Sequence, residues 1–257
     1  MKNYFYLFSV LLLISCGNKE QVINEKNNDI DSTSKETSNF PFSENNFNHL
    51  SLPLNLDTLF VQMVDTNNRI TYQEIRKLGV NFLKGELGDG LVYDINEFAQ
   101  IDSLKQSGGY KAYLDKIDIG MTKICIAYKV GVLNFTQSGK LFIWGITNAS
   151  YEACPFFSGT LLVGTYLNEN NEATLFNLAE ISGGGDPPSM MNTVTTSKIS
   201  ADRKIEICSV VTTDDLDVKG EGIEKTIFKL EVNADKIVLV DTKKEVLGKE
   251  EEPKQNQ

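Results

Sequence analysis

The chain has 257 residues, with 25 Lys and Arg against 35 Asp and Glu and a formal net charge of −10. This balance disfavours nucleic acid and anionic lipid surfaces as partners, since both need a basic footprint. The 41% hydrophobic fraction suffices for one sizeable core, or a core plus a small subdomain, and the single histidine disfavours Ser–His–acid, Cys–His and His-rich zinc chemistry.

Lys2 supplies a positive start, and Tyr4 to Ile14 form an apolar run of secretory-signal length, too short to span a bilayer as a helix. The run closes on Leu13-Ile14-Ser15-Cys16. These residues resemble the lipobox of bacterial lipoprotein precursors; an ordinary secretory signal or an uncleaved anchor is the alternative. The resemblance implies a signal peptide over 1–15, cleavage before Cys16, and diacylglyceryl and acyl chains (palmitate among them) on that cysteine. Each buried CH₂ of such chains contributes ~0.8 kcal/mol, so two or more chains anchor stably. The expected location is the bacterial cell envelope at the outer membrane, with the membrane engaged through lipidated Cys16.

Residues 16–49 read as a disordered tether, rich in Asn, Ser, Thr, Asp, Glu and Lys, which buries too little apolar surface to offset ordering entropy. His49 lies at its end as a solvated residue. Residues 50–121 carry a 3.6-residue period and read as a helical subdomain. Leu56, Leu59, Phe60, Met63 and Val64 share one helix face after Pro53. Thr71-Tyr72-Gln73-Glu74 is a capping-box pattern opening a second helix with Ile75, Leu78 and Phe82, stopped at Gly85. A third is expected from Asp94, presenting Phe98 and Ile101 and ending by Gly108-Gly109.

From residue 122 the period becomes two. Strands are expected at 124–130, 140–147, 160–167, 173–181, 193–199, 204–212, 226–232 and 237–246, separated by turns at 168–171, 200–202 and 233–235. The links leave no room for crossover helices, so sequential strands should pair antiparallel. The expected class is α+β: N-terminal helices packed on an antiparallel β-meander spanning 122–247. An up-and-down β-barrel is the alternative. Residues 248–257 read as a disordered polar tail.

Several constellations carry possible chemistry. Cys125, Cys154 and Cys208 form no C-x-x-C pair and read as buried apolar groups, with one disulfide as the alternative. Asp215, Asp217 and Gly220 mimic the spacing of a calcium loop, but Lys219 and Thr226 take positions that should bear ligands. The weaker Asp65-Thr66-Asn67-Asn68 echo has Arg69 at a ligand position. No metal site and no cofactor are expected. Ser182–Ser189, with three glycines and two prolines, reads as a long loop between strands, and any ligand site is expected to involve Gly183 and Asp186. Trp144 and Tyr151 would be neighbouring apolar surface, although Trp144 also alternates with Phe142 and Ile146 as a core residue would. Three tripeptides, at Asp31, Asp57 and Asp102, resemble the O-glycosylation acceptor of Bacteroidota, with Ser32 the most accessible. Carboxylates are too numerous for any glycosidase-like pair to stand out.

The whole chain is similar in style to uncharacterised Bacteroidota lipoproteins, a likeness that transfers no activity. The expected function is a lipid-anchored, non-enzymatic binding or structural module for an envelope protein or glycan; a carboxylate-dependent hydrolase is the alternative. Cys16→Ala should abolish acyl labelling and move the protein out of the detergent phase. Undiminished labelling of that variant would refute the lipobox reading.

Overall fold

The computed structural model describes residues 44, 47–77, 81–112, 121–137, 139–151, 156–186, 189–215, 222–233 and 235–247, all within the unit Asn39–Gln257. The expected signal segment, Cys16, Ser32, Cys154, Asp217 and residues 248–257 lie outside these residues. In chain order the elements are β1 (Asn48–His49), β2 (Leu54–Leu56), α1 (Thr58–Met63), β3 (Arg69–Ile70), α2 (Tyr72–Arg76), β4 (Asn81–Phe82) and α3 (Glu86–Gln106). Eight long strands follow: β5 (Met121–Asn134), β6 (Lys140–Tyr151), β7 (Phe156–Leu167), β8 (Ala173–Asp186), β9 (Ser189–Ile199), β10 (Ile205–Asp215), β11 (Gly222–Asn233) and β12 (Lys236–Leu247).

The eight long strands pair antiparallel in sequence order. Asn171, Arg203 and Asp235 take positive φ in the turns at 168–171, 200–203 and 233–235, which lets those hairpins close tightly. All twelve strands belong to one sheet, of order β1-β5-β6-β7-β8-β9-β10-β11-β12. It is mixed, because β1 runs parallel to β5 and β4 parallel to β8. Among the described residues no pairing joins β12 back to β5, so the sheet is open and not a barrel.

The described residues between 47 and 112 are less helical than their periodicity suggests. Leu56 belongs to β2 and Asp57 caps α1, its Oδ1 accepting from the Phe60 amide at 2.9 Å. This cap resets the helix phase. Val61 is buried and Phe60 and Val64 pack against the core as expected, while Leu59 and Met63, expected on the same face, stand 64% and 81% exposed. The Thr71–Glu74 capping box forms as expected, but α2 covers only Tyr72–Arg76, and Phe82 lies in β4. Gly85, expected as a stop, is the N-cap of α3, which places Asp94 mid-helix. Leu87, Leu91, Ile95, Phe98 and Ile101 form its buried face, a spacing that Gly88 and Gly90 obscured in the sequence.

These N-terminal pieces stitch the sheet. β8 and β9 pair only from Glu180–Asp186 against Ser189–Thr195, and beyond that they diverge. β2 then pairs with Ser197–Ile199 of β9. β4 pairs with Thr174 and Leu175 of β8, and the Leu83 amide donates to the Leu175 carbonyl at 2.8 Å. The fold also takes in the end of the expected tether: Phe47 is buried against Phe142, with ring centroids 5.1 Å apart.

Strands β5–β8 are apolar on both faces. One face carries Tyr128, Leu141, Ile143, Leu162, Phe176 and Leu178, joined by Leu56 and Val61 and by Ile207, Phe228 and Leu230 from the later strands. The other carries Cys125, Phe142, Trp144, Ile146, Val163 and Leu175 and packs under Leu91, Ile95, Phe98 and Ile101 of α3. Among the described residues no helix is long and apolar enough to cross a membrane.

Two glycines of α3 have opposite surroundings. A Cβ on Gly88 would lie 1.8 Å from the Leu83 carbonyl oxygen, whereas one on Gly90 would meet nothing within 4 Å. Gly90→Ala should raise stability by about 0.5–1 kcal/mol through helix propensity. Gly88→Ala should lower it by roughly 1–3 kcal/mol through overpacking. Urea midpoints of the two variants check both signs.

Candidate functional site

At the end of the sheet, between α1 and strands β6–β9, lies a cleft of about 540 Å³. Drug-sized ligand sites occupy roughly 300–1,000 Å³, so the space suits a ligand of a few rings. The sheet register builds its floor. Ala149, Ser158, Gly183 and Asn192 lie side by side across β6 to β9, and Thr147, Thr160 and Ile181 form the next row inward. Val61 and Gln62 of α1 and Met190 of β9 complete the walls. The inner row is held by a hydroxyl chain: the Tyr128 hydroxyl lies 3.2 Å from Thr147 Oγ1, which lies 2.8 Å from Thr160 Oγ1. Gly183 makes room for the amide of Asn192; a Cβ there would stand 2.4 Å from Asn192 Oδ1. None of the fourteen lining residues carries a charge.

Behind this floor, on the α3 side of the sheet, two carboxyl groups come together. Asp94 Oδ1 accepts from Asn148 Nδ2 at 3.1 Å. Glu180 Oε2 accepts from Asn177 Nδ2 at 2.8 Å, and its Oε1 accepts from the Ser182 hydroxyl. Burial pushes the Asp94 carboxyl up to about 7, and the negative charges of Glu180 and then Glu97 add to the effect, against the Asn148 bond. Asn148 and Ser182 also line the cleft, so the carboxyl pair and the cleft share two residues.

The structure separates the residues expected at a site. Gly183 lines the cleft, but the Ser182–Ser189 segment is not a long loop. Its glycines belong to β8, which pairs with β7 as far as Phe156↔Gly185 and with β9 as far as Asp186↔Ser189. Small side chains there let neighbouring strands and the Asn192 amide approach closely. Asp186 ends β8 and Tyr151 ends β6, opposite Met121; their side chains lie outside the description. Trp144 is fully buried on the opposite face, its Nε1 donating to Thr165 Oγ1 at 2.8 Å, and it contributes no surface to the cleft. His49 belongs to β1, not to a tether, and sits 3.9 Å from Glu44 Oε1 with its side chain 68% exposed.

Among the described residues no three His, Cys, Asp or Glu side chains gather into a metal centre. Asp215 ends β10 opposite Ser189, which spends that stretch on strand pairing. Asp65 Oδ1 accepts from the Asn67 amide at 2.9 Å, a local turn. Asp57 and Asp102 are likewise used structurally. The first caps α1, and the second accepts from the Tyr72 amide at 2.9 Å and from Gln106 Nε2 at 2.6 Å.

Asp94, Asn148 and Glu180 were not legible as a group. Asp94 reads in the sequence as a helix cap. The register shift at Leu162/Val163, opposite β8, hides which face Glu180 takes. Compared with protein-family models, curated proteins and solved structures, the chain matches none of them.

Cys125 and Cys208 are both free thiols. Burial pushes the Cys125 thiol up to about 12, so it packs and does not attack. Iodoacetamide at pH 8 should label Cys208, which is half-buried, well before Cys125. Peptide mapping during unfolding checks this; equal labelling in the native state would contradict it.

Proposed function

We propose that this is a lipid-anchored protein of the bacterial envelope, held at the outer membrane through Cys16, whose β-sheet binds a neutral envelope glycan without catalysis. The observation that carries the binding part is the uncharged lining of the cleft. Thr147, Ser158, Thr160 and Asn192 each donate and accept hydrogen bonds. Sugar hydroxyls do the same, so such a row complements them without the desolvation cost of a buried charge. Val61, Ile181 and Met190 supply apolar contact for the sugar faces. The anchoring part rests on the lipobox-like Leu13-Ile14-Ser15-Cys16, and the net charge of −10 fits a partner other than nucleic acid.

One observation favours a carboxylate-dependent hydrolase instead: the Asp94 carboxyl, raised to about 7 beside the charge of Glu180, has the perturbation expected of a general acid. Against it, the pair lies beneath α3 and both carboxyls are occupied by side-chain amides or a hydroxyl, while the cleft lining holds no carboxylate.

Titration calorimetry with chitohexaose and cellohexaose, and with polygalacturonate as a charged control, tests the reading. A neutral oligosaccharide should bind and the control should not. Asn192→Ala and Gly183→Ala, the second by displacing the Asn192 amide, should weaken binding about tenfold, the worth of roughly one hydrogen bond. No binding of either oligosaccharide, or unchanged affinity in both variants, would overturn it. Release of reducing ends that is lost in Asp94→Asn would favour the hydrolase.

A further inference from the structure

We infer that α3 is held on the sheet by a proton: the Asp94 carboxyl docks in its neutral form against Asn148 and next to Glu180, so the packing of this helix depends on pH. The geometry carries the inference in three steps. First, α3 packs on β5 and β8 through Leu91, Ile95, Phe98 and Ile101, an apolar face, with Asp94 at its margin. Second, the two carboxyls are held differently. Glu180 receives donors on both oxygens, from Asn177 and Ser182, whereas the side-chain donor to Asp94 is Asn148, on one oxygen. A proton on Asp94 removes the repulsion between two partly desolvated like charges. Third, among the described residues the charges that act most on Asp94 are negative. Glu180 of β8 and Glu97 of α3 act on it; the Cys125 thiol of β5 faces the same cluster, where Asp102 and Lys105 of α3 also act, the Lys105 ammonium donating to the Cys125 carbonyl at 3.2 Å. From α2, Glu74 is ion-paired with Lys129 of β5 at 3.1 Å, and Arg76 is the other basic group; β4 brings no ionisable residue.

The sign follows from linkage. Burial raises the Asp94 carboxyl from its ordinary 3.8 to about 7 in the folded protein. The stabilisation is therefore complete below about 4, is lost as pH rises towards 7, and is absent above that. Over this window the folded-to-unfolded ratio should fall up to tenfold per pH unit relative to a chain with a neutral residue at 94. Asn148 and Ser182 reach both the carboxyl pair and the cleft, so loosening α3 would disturb the cleft floor. That consequence rests on the binding reading above; the helix docking does not.

The test needs no ligand, so its outcome is separate from that of glycan titration. Urea unfolding of the intact chain and of Asp94→Asn is measured from pH 4 to pH 9. The ratio of their unfolding constants should change by tenfold or more between pH 4 and pH 7 and stay level above about 7.5. A level ratio throughout, or a change of opposite sign, overturns the inference. Carboxyl ¹³C NMR of the unaltered protein guards against a variant that fails to fold. A midpoint near 7 at Asp94 supports the proposal, and a midpoint near the ordinary carboxylate value refutes it. Hydrogen exchange, corrected for intrinsic rates, should show amide protection falling over Leu91–Ile101 between pH 6 and pH 8 while β10 and β11 keep theirs. A uniform change, or none, would show that the proton does not act on α3.

Discussion

Every backbone amide and carbonyl in a sheet needs a partner, and this fold turns on how that demand is met where β8 and β9 separate. Past Glu180 and Thr195 the two strands no longer bond to each other. β2 pairs with the freed end of β9, and β4 with the freed end of β8. The N-terminal segment is thereby fixed in place at two points. Unpaired buried amides would cost about 1–3 kcal/mol each, so the short strands matter more than their two or three residues suggest. Their position also decides where the helices fall: α1 leaves β2 over one face, and α3 leaves β4 over the other.

The outer edges are handled by other means. β5 is covered by β1 along Gly131–Val132 and by β3 along Ala127–Tyr128. At Gly131 the side chain of Leu50 fills the space a Cβ would take, 2.4 Å away. β12 has no such cover among the described residues. It carries Asp241, Lys243, Lys244 and Glu245, with Lys229–Asp241 at 2.9 Å among the ion pairs to β11. Exposed pairs of this kind stabilise by only about 0.2–1 kcal/mol. Their larger effect is to make the edge unattractive to another strand, because pairing would desolvate them.

The long strands were readable because alternation survives in them: Phe142, Trp144 and Ile146 share one face while Leu141 and Ile143 share the other. The turns were readable because Asn171 and Asp235 tolerate positive φ. The stitching strands were not, since two or three residues hold too few side chains to show a period. Leu59 and Met63 fit the face of Phe60 and Val64 by spacing, yet with Asp57 as the cap Phe60 and Val64 pack on the core while those two point outward. Glycine misled twice. Gly85 starts a helix it was expected to end, and Gly183–Gly185 form strand where a loop was expected. In both places glycine serves a close approach or a positive φ (96° at Gly85), which sequence reports only as the absence of a side chain.

The candidate site follows from the same geometry. Strands β5–β8, apolar on both faces, leave little room for polar groups, so those that do occur on them are informative. Asn148 and Ser182 sit where strands β6 and β8 run out from under α3, each buried, each bonded to a carboxyl group on one side and contributing to the cleft on the other. Strand pairing fixes their separation: Asn148 lies opposite Gly159, and Gly159 opposite Ser182. A Cβ on Gly159 would stand 2.5 Å from Ser182 Cβ, so β7 passes between them without a side chain on that face. A shift of α3 relative to the sheet would pull on Asn148 through Asp94, and the rigid ladder would carry that displacement to Thr147 and the cleft floor. The glycine at 159 is thus what brings two half-buried hydrogen bonds, one from β6 to α3 and one within β8, within reach of one surface.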